Sequence, residues 1–357
     1  MLMVIFGAGA SCDSSPSEPL ENVGGLRWRP PLADELFDMR RFGHVINHFT
    51  RAKEVFTHLL PKIGERVDVE RVLEKLQNKA KSGDKERDRQ LAAVQFYLQA
   101  MITQCTWNWK ATTNDVTNYG TLIGEVRDLK QPACLVTFNY DTLLDEAVAR
   151  DPLSHVKFTA MSDYVASDYK VIKFHGSVNW VHEVMARVDN LRGRNQLAIA
   201  TEVIDRRPDL VINPEYEIVF PTRDDIDSGF PIAKSGDKAV IPALAVPVEH
   251  KPGDEIPSEH RKVFDECLPQ ITKILVIGWR ANETRFLEIL AQGLVKGKTA
   301  PKVMIVSRDE PSASETGNKI RQKLRQGGVL IGDSFKVSKG GFTGAVRNGE
   351  TEAFIHS

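Results

Sequence analysis

Short apolar runs that end in small or polar residues dominate the hydrophobic pattern of the chain. The first run opens the protein at residues 1–6 and leads into Gly7-Ala8-Gly9-Ala10-Ser11. Comparable runs lie at residues 133–138, 273–277 and 302–306. Runs of this length that end at turn residues are typical of buried strands in a parallel sheet.

Amphipathic segments lie between these runs and predict helices. Residues 142–150, 282–294 and 314–325 have apolar positions at helical spacing. Two shorter strands are predicted at 156–160 and 171–174. The alternation of strand, polar turn and helix predicts an α/β fold, with a Rossmann-like parallel sheet and helices on both faces.

Two stretches depart from this alternation. Residues 32–130 have a mostly helical pattern and are predicted to form an inserted helical module. Residues 181–268 are rich in proline and charge and show no regular period, apart from a strand end at 218–221. We therefore predict a single domain over residues 1–357 that carries a helical insertion and an irregular insertion.

Glycine or polar residues follow each predicted strand of the sheet, and they are the candidate site. They are Gly7 to Ser11, Thr137-Phe138-Asn139-Tyr140-Asp141, His175-Gly176-Ser177, Gly278-Trp279-Arg280 and Ser307-Arg308. Because ligands bind at the carboxyl ends of strands in open α/β sheets, we expect these residues to meet in one crevice. Glycines let backbone amides approach a phosphate, so the amides of Ala8 to Ser11 are predicted to hold a pyrophosphate.

Each candidate also has a purely structural interpretation. Asn139, Asp141 and Ser177 are residue types that cap helices. His175 is compatible with a buried, hydrogen-bonded core histidine, and Gly278 with a simple turn. The occurrence of all of them at successive strand ends favours a functional role.

The first turn differs from the fingerprint of dinucleotide-binding dehydrogenases. Where that fingerprint has a third glycine, this chain has Cys12, and a loop rich in proline, serine and glycine follows to residue 31. The sequence therefore predicts no helix directly after the glycines. The loop is interpreted as a flap over a ligand or as a surface loop.

The chain resembles the SIR2-like (sirtuin-type) NAD-consuming family, in particular its bacterial antiphage-defence branch. The matching motifs are the strand-end residues described above, and they span residues 4–308. The resemblance implies catalytic roles for Asn139, Asp141 and His175. It also implies NAD contacts for Gly7, Ala8, Gly9, Ala10, Ser11, Thr137, Gly278 and Ser307.

Two departures from deacetylating sirtuins refine this expectation. Those enzymes carry a four-cysteine zinc module after the His-Gly motif, whereas only Cys267 lies in that interval here. The Gly-Ile-Pro-Asp-Phe-Arg segment typical of sirtuins is also absent from this sequence. We therefore expect no zinc, and the resemblance favours hydrolysis of NAD over protein deacylation or ADP-ribosyl transfer. A non-catalytic nucleotide-binding regulatory subunit is the alternative from another class.

Composition adds limits on partners and location. The net charge is −1, with 41% hydrophobic and 27% charged residues, so no global field attracts nucleic acid. No apolar run approaches the roughly 20 residues of a membrane helix, and no signal peptide is recognised, so a cytoplasmic protein is expected. The cysteines form no Cys-x-x-Cys pair, which favours free thiols; they are Cys12, Cys105, Cys134 and Cys267.

The resemblance finally implies partners that composition does not reveal. Members of the family are typically oligomeric, so a homo-oligomer is expected. A defence partner such as a HerA-like ATPase is implied in the same way.

Overall fold

A computed structural model gives the fold. It describes residues 1–16, 28–57, 69–185, 191–246, 256–297, 300–332 and 335–357. Much of the loop predicted as a flap, residues 17–27, lies outside these ranges, as do residues 58–68 of the predicted helical module.

The strands fall into a parallel set and an antiparallel set. In chain order they are β1 (Leu2–Phe6), β2 (Ala133–Thr137), β3 (Tyr169–Lys173), β4 (Gly176–Val184), β5 (Ile212–Ile218), β6 (Lys234–Ser235), β7 (Lys238–Leu244), β8 (Lys273–Ile277), β9 (Lys302–Val306) and β10 (Lys336–Ser338).

The α-helices range from four to 28 residues. They are α1 (Ala8–Cys12), α2 (Met39–Ile46), α3 (Thr50–Thr57), α4 (Val69–Lys81), α5 (Lys85–Thr112), α6 (Asn118–Asp128), α7 (Leu143–Arg150), α8 (Asp163–Ala166), α9 (Gln196–Arg206), α10 (Arg223–Ser228), α11 (Ser258–Cys267), α12 (Thr284–Leu294), α13 (Glu310–Gln326), α14 (Gly341–Arg347) and α15 (Glu350–Ile355).

The chain divides into two compact units. The first unit comprises Met1–Leu26, Lys110–Phe174 and Ile256–Ser357, and the second comprises Arg27–Trp109 and His175–Glu255. The predicted helical insertion therefore contributes α2 to α4 and most of α5 to the second unit, and α6 to the first. The single domain with two insertions stays a prediction.

The first unit is built on a six-stranded parallel sheet in the order β10-β9-β8-β1-β2-β3. From β1 the chain moves outward to β3, then returns to the other side of β1 and moves outward again to β10. Because crossovers between parallel strands are right-handed, the two halves place their helices on opposite faces. A parallel sheet with helices on both faces confirms the predicted fold class. The order of the strands reverses between β1 and β8.

The central strands form the core of this sheet because they are apolar on both faces. Every residue of β1 and β2 is buried. Four of the five residues are buried in β8 and in β9. Side chains that alternate between two covered faces need continuous hydrophobic runs, which explains why these strands could be recognised in the sequence.

The second unit contains an antiparallel sheet in the order β5-β4-β7-β6. Gln99 of α5 is fully buried against it: its amide nitrogen donates to Val178 O at 3.1 Å and its oxygen accepts from Ile232 N at 2.9 Å. The sequence pattern predicts an irregular segment over residues 181–268, whereas the structure forms β5 to β7 there. No residue of β5 is fully buried and β6 has only two residues, which weakens their hydrophobic signal. Six of the seven residues of β7 are buried, but a proline interrupts its apolar run.

Two local predictions are wrong. A five-residue helix, α1, follows the glycine turn directly, although the sequence predicted no helix there. Residues 156–160 form no strand; Val156 and Phe158 are buried within an irregular segment instead. In both places local pattern was a poor guide because packing decides the backbone of such short segments.

Candidate active site

The register of the parallel sheet aligns the ends of its strands. Phe6 pairs with both Thr137 and Ile277, Thr137 pairs with Lys173, and Ile277 pairs with Val306. These five residues are the last of their strands. The turns that follow β1, β2, β3, β8 and β9 therefore all begin at one edge of the sheet.

The turn after β1 packs against the turn after β8 through backbone atoms. Gly7 N donates to Ile277 O, and Gly9 N donates to Gly278 O, both at 3.0 Å. Gly278 has φ +61°, and a Cβ there would lie 2.3 Å from Ala10 N. Only glycine fits at this position, because a side chain would both strain the backbone and push the first turn away.

The amides of the first turn are partly used inside the protein. Gly9 N donates to Gly278 O, and Ala10 N donates to Gly7 O at 2.8 Å. Of the four amides predicted to hold a pyrophosphate, those of Gly9 and Ala10 are thus already engaged. The phosphate contact of the Ala8 to Ser11 amides stays a prediction.

Asn139 lies at the centre of a buried hydrogen-bond network. Its Nδ2 donates to Gly7 O at 3.0 Å, to Ser11 Oγ at 2.9 Å and to Tyr119 OH at 3.2 Å. Ser11 Oγ and Tyr119 OH are themselves 2.9 Å apart. Since the Gly7 carbonyl can only accept, the amide nitrogen must face it. The Asn139 side chain can therefore offer a ligand only its oxygen, which is an acceptor.

Tyr119 is a site residue that the sequence did not reveal. It lies near the start of α6, in a stretch whose pattern indicates only a helix. Its ring packs against Phe6 and Phe342, with centroid distances of 5.2 and 5.5 Å. Burial raises the pKa of the phenol well above its ordinary value, so the hydroxyl stays protonated as a neutral hydrogen-bond partner.

Thr137 and Asp141 shape the turn that carries Asn139. Thr137 Oγ1 accepts from Asn139 N, and Asp141 Oδ1 accepts from Leu143 N at the start of α7, each at 3.0 Å. The capping interpretation of Asp141 therefore has a structural basis. The residue is also 93% buried, which is deeper than a cap requires.

The ionisation of Asp141 is set by opposing effects. Burial raises the pKa of its carboxyl group, while the charge of Lys173 and hydrogen bonds from Ser11 and Leu143 lower it. The hydrogen bond from Ser11 links Asp141 to the network of Asn139. A carboxylate, a hydroxyl and an amide are thus brought together at the ends of β1 and β2.

His175 lies in the second unit, directly before β4, and is 7% exposed. Its carbonyl oxygen accepts from Ala245 N at 3.1 Å. The next residue, Gly176, has φ +75°, and a Cβ there would lie 2.0 Å from Ala243 O. Glycine is thus required at position 176 because the backbone of Ala243 approaches so closely. The catalytic role of His175 stays a prediction.

Ser307 is held through its backbone. Its amide donates to Ser338 O at 3.2 Å, and its carbonyl accepts from Gly341 N at 3.0 Å. These bonds join the end of β9 to β10 and α14. The structure therefore brings Gly278 together with the turns after β1 and β2. The backbone bonds of Ser307 connect instead to β10, the outermost strand of the sheet, and to α14.

All four cysteines are buried, and none is part of a disulfide. Among the described ranges, no three His, Cys, Asp or Glu side chains cluster as metal ligands would. No helix in the described part of the chain is long and apolar enough to cross a bilayer.

Solved Sir2 homologues are similar to this chain in fold. One is a SIR2 homolog in complex with NAD, at 14% identity and a TM-score of 0.36 over 91% of this chain and 88% of that one. Another is a Sir2 homologue mutant bound to 2'-O-acetyl ADP-ribose, at 14% identity and a TM-score of 0.37 over 91% and 90%. No protein-family model and no curated protein matches the chain.

Proposed function

We propose that this protein hydrolyses NAD+ at the bond between nicotinamide and ribose, releasing nicotinamide and ADP-ribose or a cyclised product. The observation that carries the proposal is the buried network in which Asn139 binds both Gly7 and Ser11 of the first turn. This network connects a glycine turn, which is suited to binding phosphates, with polar groups that are suited to bond cleavage. It lies beside the point between β1 and β8 where the strand order reverses, which is where open α/β sheets bind ligands.

The chemistry fits the groups that are present. Glycosidic bonds of this kind break through an oxocarbenium-like state, so a site needs a placed water and negative charge near the cation. The Asn139 oxygen would accept a hydrogen bond from a ribose hydroxyl or from that water. Asp141 would stabilise the cation, and His175 would take the proton, as histidines do near neutral pH.

The identity of the substrate rests on the motif resemblance. The four-cysteine zinc module of deacetylating sirtuins is missing from the sequence, which favours hydrolysis over deacylation. By the same resemblance we propose a cytoplasmic enzyme that depletes NAD in antiphage defence as a homo-oligomer, with a HerA-like ATPase as a candidate partner. Mass measurement of the purified chain tests the oligomer, and a monomer would contradict it.

The test is incubation of the purified protein with NAD, with and without an acylated peptide, followed by chromatography of the products. We expect nicotinamide and ADP-ribose, or a cyclised relative, without peptide. Release that requires the peptide would indicate a deacylase or a transferase. Tight binding of NAD without products would indicate a regulatory subunit.

The variant His175→Ala tests the proposed mechanism. It is expected to remain folded and to lose nicotinamide release by about 10²–10⁴-fold, as removal of a positioned acid–base group does. Full activity in folded His175→Ala would contradict the proposed mechanism.

A further inference from the structure

The last residue of β3, Lys173, has no exposed surface. Its Nζ donates to the backbone carbonyl of Asp141 at 2.6 Å and to Asp145 Oδ2 at 2.9 Å. A buried ammonium group is costly unless it is paired and hydrogen-bonded. Here its two acceptors lie on the turn after β2 and on α7, so a single charge connects three elements.

These contacts hold the turn that carries Asn139. Thr137 Oγ1 fixes one end of the turn through Asn139 N, and Lys173 fixes the other end through Asp141 O. Phe174 N also donates to Thr137 O at 3.1 Å, which locks the end of β3 to the end of β2. In the sequence, His175 follows Lys173 by two residues.

We propose that Lys173 is a positioning residue of the candidate site, which anchors the Asp141 turn and supplies the positive charge that favours the Asp141 carboxylate. This inference rests on the proposed function, because it assigns Asp141 an ionised role beside a developing cation. Lys173 itself acts through Asp141 and is given no contact with substrate.

The charge balance around Asp141 supports this role. Lys173 opposes the effect of burial on the pKa of both Asp141 and Asp145. Two neighbouring carboxyl groups of α7, those of Asp145 and Glu146, disfavour the charge of Asp141. Loss of the Lys173 ammonium group therefore leaves the effects of burial and of these carboxyl groups without the cation that opposes them.

The test is the pH dependence of nicotinamide release in Lys173→Met. A carboxylate becomes protonated as the pH falls through its pKa, and removal of a neighbouring cation raises that pKa. We expect the acid limb of the profile to move up by about one pH unit or more. Lys170→Met is the control: Lys170 lies on the same strand and donates to Val165 O at 2.9 Å, so its loss should leave the limb in place.

A second variant separates positioning from folding. Lys173→Met alone leaves Asp145 buried without its partner, so Lys173→Met/Asp145→Leu removes both charges of the pair. Because this variant also removes the Asp145 charge, which disfavours the Asp141 carboxylate, the acid limb should move up less than in Lys173→Met. An acid limb that does not move up in any folded Lys173 variant, an equal shift in Lys170→Met, or failure of both Lys173 variants to fold would overturn the proposal.

The Asp141 titration can also be measured without turnover, by carbon-13 NMR of the aspartate carboxyl groups. The Asp141 signal is assigned by its loss in Asp141→Asn. The Asp141 midpoint should rise in Lys173→Met and rise less in the double variant, and an unchanged midpoint in Lys173→Met would contradict the role of Lys173. Absence of nicotinamide release in the wild-type protein would instead contradict the proposed function, so the two failures are distinguishable.

Discussion

The two halves of the parallel sheet end in different ways. At the ends of β1, β2 and β3, buried side chains add to the backbone bonds: Ser11, Asn139 and Lys173 are hydrogen-bonded to the neighbouring turns. After β8 and β9, the bonds are made by the backbones of Gly278 and Ser307. Both halves share a register and a direction, so the difference lies in the turn sequences.

The contrast suggests that the half with β1 to β3 carries the chemistry, whereas the half with β8 and β9 contributes packing. Buried polar side chains destabilise a fold unless they are hydrogen-bonded, so a cluster of them at one end of the strands indicates a functional site. The β8 turn supplies instead a close-fitting backbone and an aromatic layer. Trp279 stacks on Phe138 at 5.1 Å, and its ring meets Phe286 edge-on at 5.4 Å.

The largest effect is expected from Gly278→Ala. The residue needs a left-handed backbone, which costs about 1–2 kcal/mol for other residues, and its Cβ would displace Ala10. We expect the free energy of unfolding to fall by at least about 2 kcal/mol, together with loss of activity. Gly332→Ala is the control for denaturant titration, since no atom lies within 4 Å of its added Cβ. Equal stabilities would refute the packing role of the β8 turn.

An intermediate effect is expected from Tyr119→Phe. The variant keeps the ring against Phe6 but removes the hydroxyl bonded to Ser11 and Asn139. Each lost hydrogen bond is worth about 0.5–1.5 kcal/mol, so kcat should fall about tenfold with a smaller change in KM. Tyr97→Phe, which loses a 2.7 Å bond to Leu36 O in the second unit, should leave kcat unchanged. Equal kcat values in the two variants would remove Tyr119 from the site.

The smallest effect is expected from Ser307→Ala. The bonds of this residue to Ser338 and Gly341 use its amide and carbonyl, which alanine retains. Nicotinamide release should change by no more than about twofold, as for surface substitutions that break no interaction. A loss comparable to that of Tyr119→Phe would show that side chains of the second half also carry chemistry.

The sequence predicted the central strands well because their signal is local. The strands at 273–277 and 302–306 match β8 and β9 residue for residue, since buried runs end sharply at turn residues. The alignment of strand ends followed from the rule for parallel sheets. It brought Asn139, Asp141 and the first turn to one edge, as the structure shows.

The partners of these residues could not be predicted, because they depend on distant contacts. Tyr119 is 108 residues from Ser11, and nothing in its helical surroundings distinguishes it from a core aromatic residue. Lys173 stands 28 residues from Asp145, and its sequence context indicates only a strand. The side chains that orient a site are set by the fold, whereas the turns that contain it are set by local sequence.

The most direct test compares nicotinamide release from NAD by Asn139→Ala and Asn282→Ala. Asn139 lies in the buried network after β2, whereas Asn282 is exposed after β8 and accepts from Lys319 at 2.9 Å. We predict that Asn139→Ala remains folded and loses at least about 100-fold in rate, as removal of a positioned polar group does, while Asn282→Ala stays within about twofold of wild type. Equal rates in the two folded variants would contradict the account.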